Sequence, residues 1–231
     1  MLYPSESRST KHEFERKVLK KRLRSNFRIF SALGAENPKI ASDKKNIVIQ
    51  MLNGTNVFLI GMMGAGKSTV GKLLAQKLSY NFLDTDPLIE QCAGKSISEI
   101  FANDGEETFR DLEQQVLSQV STYTRLVVAT GGGIVMRSLN WSHLHDGIVV
   151  WIDVSVDILY DRLKAESTHR PLLQTADPLQ KLRDLYNQRR DRYAQADISI
   201  MISESETPEA VSDRLIAMIE SRITPDRLKQ Q

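Results

Sequence analysis

The chain has 231 residues, 41% of them hydrophobic and 26% charged, which allows one domain of ordinary size with its own core, plus a tail. No apolar run approaches the ~20 residues of a membrane-spanning helix, and the single cysteine, Cys92, excludes an intramolecular disulfide and suits a reducing compartment. The net charge of +2 is uneven: residues 1–50 hold 12 Lys/Arg against 5 Asp/Glu and the rest 19 against 24, so the body is mildly acidic and unlike a nucleic-acid binder.

Residues 1–50 form a basic N-terminal extension, mixing Ser, Lys, Arg and Glu with room for one short helix and no strand pattern. It reads as a disordered arm, an organelle transit peptide or the product of an upstream start. Glu6, Glu13 and Glu15 count against a transit peptide, which is poor in acids. Met51 opens a more regular segment, and the domain is expected over 51–225.

From Asn56 onward strands and helices alternate. NVFLIG (56–61) is a short apolar strand, followed by a helix over 67–79 with Val70, Leu73, Leu74 and Leu78 on one face. NFLDTD (81–86) is a second strand, and helical patterns follow over 87–93, 96–103 and 106–120. RLVVAT (125–130) runs into Gly131-Gly132-Gly133 as the third strand. GIVVWIDV (147–154) is the fourth, before a helix over 155–165. Residues 166–176 read as a loop, followed by a helix over 178–194, a fifth strand at 198–202 and a final helix over 208–222. Strands separated by helices imply an α/β fold: a parallel sheet between helical layers, with ligands beyond the carboxyl ends of the strands.

The glycine-rich and acidic motifs all fall at such strand ends. Gly61 to Ser68 (GMMGAGKS) fits G-x-x-x-x-G-K-[ST] between an apolar strand and an amphipathic helix. Its glycines let successive N–H groups face phosphates, and the helix N-terminus adds positive potential. Gly64, Ala65, Gly66, Lys67, Ser68 and Thr69 are therefore expected at a nucleoside triphosphate, with Lys67 reaching the β- and γ-phosphates and Ser68 a Mg²⁺ ion. No N-K-x-D guanine-reading motif is present.

Asp84-Thr85-Asp86 suits one acid near the Mg²⁺ water shell and another at an acceptor hydroxyl, or else a solvated turn. Arg110 and Glu113 lie three apart on a helix, as a surface ion pair or as a guanidinium held toward a ligand carboxylate. Gly131-Gly132-Gly133 fits close backbone approach to a substrate, or a sharp turn.

Taken together, GMMGAGKSTVG (61–71), DTD (84–86), FRDLE (109–113), TGGG (130–133), RPLL (170–173) and RRDRY (189–193) resemble the shikimate kinase family over about 52–223. The resemblance implies a three-layer P-loop kinase fold with a five-stranded parallel sheet, a lid at about 166–176 and substrate-binding segments. It implies transfer of the ATP γ-phosphate to the 3-hydroxyl of shikimate, in aromatic amino acid biosynthesis, by a cytoplasmic monomer. It gives Asp84 a Mg²⁺ contact through water, Asp86 the acceptor hydroxyl, and Arg110, oriented by Glu113, the shikimate carboxylate. Arg189, four residues before Tyr193, would be the second carboxylate-binding arginine. Gly131, Gly132 and Gly133 would line the acceptor pocket, Arg170 would be a catalytic lid arginine, and Arg162 and the stretch near Pro208 would lie at the adenine. His169 has no required role, and His143 and His145 are expected in a surface connection.

Overall fold

The computed structural model of the protein describes residues 43–165 and 175–228. At its centre is a five-stranded, wholly parallel sheet in the order β2-β3-β1-β4-β5. The strands are β1 (Val57–Ile60), β2 (Asn81–Asp84), β3 (Leu126–Ala129), β4 (Ile148–Val154) and β5 (Ile198–Ile202). Central β1 and β3 are buried at every position, as a sheet covered on both faces requires, whereas edge strand β5 alternates buried and exposed residues.

The helices are α1 (Asp43–Leu52), α2 (Lys67–Leu78), α3 (Thr85–Ala93), α4 (Ile97–Asn103), α5 (Gly105–Val120), α6 (Ser138–Leu144), α7 (Val156–Ala165), α8 (Pro178–Tyr193) and α9 (Pro208–Leu228). Phe58, Leu59 and Ile60 of the sheet pack in one core with Leu74 and Leu78 of α2 and Leu117 of α5. From β1 the chain crosses to β2 on one side of the sheet, and from β3 it crosses to β4 on the other. The carboxyl ends of β1 and β3 are thus a topological switch point, the natural crevice of such a fold.

Three details depart from the sequence expectation. The boundary expected at Met51 falls inside α1, whose Val48 and Leu52 are buried against α9 and α2. The second strand ends at Asp84 rather than Asp86, because Asp84 caps α3: its side chain accepts from the N–H of Asp86 at 3.1 Å. The expected connection around Trp141 is helix α6, with Asn140 and Trp141 buried and donating to the carbonyls of Ile134 (2.7 Å) and Val135 (3.1 Å).

Candidate active site

The P-loop closes β1 and opens α2. Gly66, at φ 89°, caps α2 in the left-handed region with no side-chain cap bond, so the first N–H groups of the helix remain for an anion. Lys67 is buried and folds back over the loop, donating from Nζ to the carbonyls of Gly61 (2.9 Å) and Met62 (2.8 Å). Arg162 of α7 donates from Nη1 to the carbonyl of Gly64 at 3.3 Å, which fixes it at the loop's outer edge. Next to the loop, Ser68 Oγ donates to Asp84 Oδ2 at 2.5 Å.

These residues line one wall of a cleft of about 850 Å³, and Asp86, Arg110, Glu113, Arg189 and Gly131 to Gly133 line the same cleft. Arg110 is buried on α5 between two acids. Its Nη1 donates to Glu113 Oε2 at 2.9 Å, and its Nη2 and Nε reach Glu106 Oε1 at 2.9 and 3.3 Å. Burial works against the guanidinium charge, but Glu113 and then Glu106 outweigh it and hold its pKa above the ordinary value. Three of its five N–H groups are engaged, which leaves two for a ligand.

Glu113 has no exposed side-chain surface. Burial pushes its carboxyl up to about 7, against the opposing pull of Arg110. The glycine run after β3 makes this packing feasible. A Cβ on Gly133 would lie 2.1 Å from Arg110 Nη1, and one on Gly131 would lie 2.7 Å from Glu113 Oε1 and 3.0 Å from Asp86 Oδ1. Gly132 faces the P-loop, where a Cβ would meet the Gly61 carbonyl at 3.3 Å and Arg189 Nη1 at 3.4 Å. Arg189 itself is buried, whereas Arg190 is exposed and Arg192 partly so. One turn on, Tyr193 donates to the carbonyl of Gly132 at 2.5 Å, and burial pushes its phenol up to about 12, so it stays a donor.

A triphosphate loop thus faces two buried guanidiniums across three glycines, and residues 63–220 match the family model described as shikimate kinase. The chain belongs to the shikimate kinase family. It is 59% identical over 171 residues to a shikimate kinase of Trichormus variabilis, a match covering 74% of this chain and 94% of that one. A shikimate kinase of Synechococcus elongatus is 54% identical over 174 residues, covering 75% and 91%. Among solved structures, shikimate kinase from Acinetobacter baumannii in complex with shikimate superposes with a TM-score of 0.71 at 36% identity, covering 75% of this chain and 97% of that one. Membership makes the protein an ATP-dependent kinase of the P-loop class.

Of the expected site residues, the shikimate kinase cleft brings together Gly64 to Thr69, Asp84, Asp86, Arg110, Gly131 to Gly133, Arg162 and Arg189. Ile202, the last residue of β5, and Glu206, Pro208 and Val211 beyond it line the same cleft, as expected for the stretch near Pro208. Arg170, His169 and the lid up to residue 174 lie outside the described residues. Sequence reasoning missed Glu106, Thr85 and Thr130. Glu106 carried a usable signal, because it stands four before Arg110 on the same helix face. Thr85 Oγ1, which accepts from the N–H of Gly131 at 3.1 Å, and Thr130 Oγ1, which donates to the Leu59 carbonyl at 3.0 Å, join strand ends distant in sequence and carried none.

Proposed function

We propose that the protein transfers the γ-phosphate of ATP to the 3-hydroxyl of shikimate, giving shikimate 3-phosphate and ADP. The observation that carries this reading is that two buried guanidiniums, Arg110 and Arg189, line the same cleft as Lys67 and Asp86. A small hydroxy acid is the acceptor such a cleft suits: its carboxylate is gripped by the arginines, with charge-assisted bonds that fix the ring. One hydroxyl then falls between Asp86 and the glycine N–H groups, in line with the γ-phosphate. Asp86 hydrogen-bonds that hydroxyl and takes its proton as the bond to phosphorus forms. Transfer of this kind asks for positioning and charge stabilisation.

Gly64, Ala65, Gly66 and Thr69 cradle the triphosphate through backbone N–H groups. Lys67 exchanges its loop carbonyls for phosphate oxygens, and Arg162 lies beside the adenine with Pro208. Ser68 Oγ and Asp84 Oδ2 present an all-oxygen pair beside the loop, a donor set that fits Mg²⁺, which Ser68 would hold directly and Asp84 through water. The ion, when bound, neutralises charge on the phosphate oxygens. The family resemblance gives Arg170 the place of a lid arginine at the transferring phosphate, excluding water as a competing acceptor.

No helix among the described residues is long and apolar enough to cross a membrane. Leu139 and Met201 are the large hydrophobics exposed among those residues, too scattered to form a dimer face, so we read the protein as a monomer. The lone cysteine supports a cytoplasmic setting. The deciding experiment is ADP release by the purified protein with shikimate, quinate or gluconate, with and without Mg²⁺. Shikimate should be preferred and the metal required. Equal turnover with gluconate, which a carboxylate clamp built for a rigid ring should reject, would overturn the acceptor.

A further inference from the structure

Around Gly131 to Gly133 the cleft gathers two guanidiniums, Arg110 and Arg189, and two carboxylates, Asp86 and Glu113. Glu106 adds a further acid from the solvent side, its side chain 55% exposed. A bound acceptor anion adds negative charge to this set. Neither guanidinium can answer by changing its charge, and the Tyr193 phenol already carries its proton.

Glu113 is differently placed. Its Oε2 accepts from Arg110, but Oε1 is buried without a hydrogen-bond partner. That oxygen and Asp86 Oδ1 converge on one point, 2.7 and 3.0 Å from the position a Gly131 Cβ would take. A bare carboxylate oxygen held there is costly. A proton on it would make it a donor aimed at the space it shares with Asp86.

We infer that Glu113 is a proton-linked positioning residue: it takes up a proton when the carboxylate of the acceptor docks on Arg110 and Arg189, and releases it when the product leaves. The inference rests on the acceptor reading above. No covalent step is involved, and the proton comes from solvent. Asp86 enters as a fixed negative charge, and the protonated Glu113 keeps its bond to Arg110 through Oε2.

The groups that set the balance are Arg110 on its own helix, Asp86 from α3, and Arg189 and Tyr193 from α8. Burial is the largest influence, raising the carboxyl to about 7, and Asp86 pushes the same way while Arg110 and Arg189 oppose. The arriving anion screens those two opposing charges, so the carboxyl must rise further. Because the bound state then holds more protons than the free one, affinity for shikimate falls as pH rises through 7.

The test is titration calorimetry of shikimate binding to the full-length protein, in buffers of different ionisation enthalpy at pH 6, 7 and 8. The dependence of heat on buffer should report uptake of about half a proton at pH 7, rising toward one at pH 8 and vanishing near pH 6. Glu113→Gln keeps an oxygen for Arg110 and should bind shikimate with no uptake. The pH dependence of uptake by the unaltered protein, present at pH 7 and 8 and vanishing near pH 6, keeps the test decisive if the variant does not fold. Shikimate binding with no buffer dependence at any pH, or uptake unchanged in Glu113→Gln, would overturn the inference. ADP binding with no shikimate binding would instead overturn the acceptor, and the inference with it.

Discussion

Tyr193 donates its phenolic hydrogen to the carbonyl of Gly132 at 2.5 Å, tying α8, which carries Arg189, to the glycine run beside the P-loop. The same ring stacks on Trp151 of β4 with centroids 5.8 Å apart. The stack and the hydrogen bond are separable. Tyr193→Phe keeps the ring and takes the donor from a partly buried carbonyl, at a cost of about 0.5–1.5 kcal/mol. Urea denaturation should show that loss, and steady-state kinetics should show a raised KM for shikimate with the KM for ATP nearly unchanged. Equal weakening of both would make Tyr193 a packing residue only.

Gly133 offers a sharper steric test. Its φ of −96° and ψ of −1° are open to any residue, so alanine introduces no backbone strain. Its Cβ, however, would fall 2.1 Å from Arg110 Nη1 and 2.4 Å from Cζ. The guanidinium must swing away from Glu113. Gly133→Ala is expected to raise the KM for shikimate by about tenfold or more, equivalent to about 1.4 kcal/mol, with ATP affinity unchanged. Normal shikimate kinetics would show that Arg110 does not need this pose.

How this cleft reads from sequence depends on the residue. The P-loop was legible because its eight residues are contiguous and the chemistry is in the backbone. Arg189 was distinguished from Arg190 and Arg192 by the family resemblance alone, through its place four residues before Tyr193; the fold adds that Leu182, Leu185, Arg189 and Tyr193 form the buried face of α8. Asp86 was placed at a strand end when it sits in the first turn of α3, because an aspartate can equally close a strand or cap a helix. Helix α6 was missed because its order comes from Asn140 and Trp141 reaching neighbouring carbonyls, which a seven-residue pattern does not announce.

Asp86→Asn separates binding from transfer. The side chain keeps its size and the Asp86 N–H keeps its bond to Asp84, so the start of α3 should persist. An amide cannot take the acceptor's proton. Turnover should fall by about 10²–10⁴-fold, with ATP affinity, read by nucleotide fluorescence, within about twofold of the unaltered protein by the same tenfold-per-1.4 kcal/mol scale. Turnover within a fewfold of normal would remove Asp86 from the chemistry.

The start of the folded body can be located by two truncations. Val48 and Leu52 are 1% and 2% exposed, and α1 packs on α9 and α2. Helix α2 begins at Lys67 of the P-loop, so α1 braces a helix that the nucleotide site depends on. Removing residues 1–50 takes Val48 out of the core, which at about 1.5–3 kcal/mol for a fully buried aliphatic side chain should lower the urea midpoint measurably. Removing residues 1–42 leaves α1 whole and should not. Both proteins are expected to turn over at low temperature, and the shorter should lose activity first on heating. Matching denaturation curves for the two would show that α1 is a passive attachment, and that the domain begins where the apolar pattern of the sequence first suggested, at Met51.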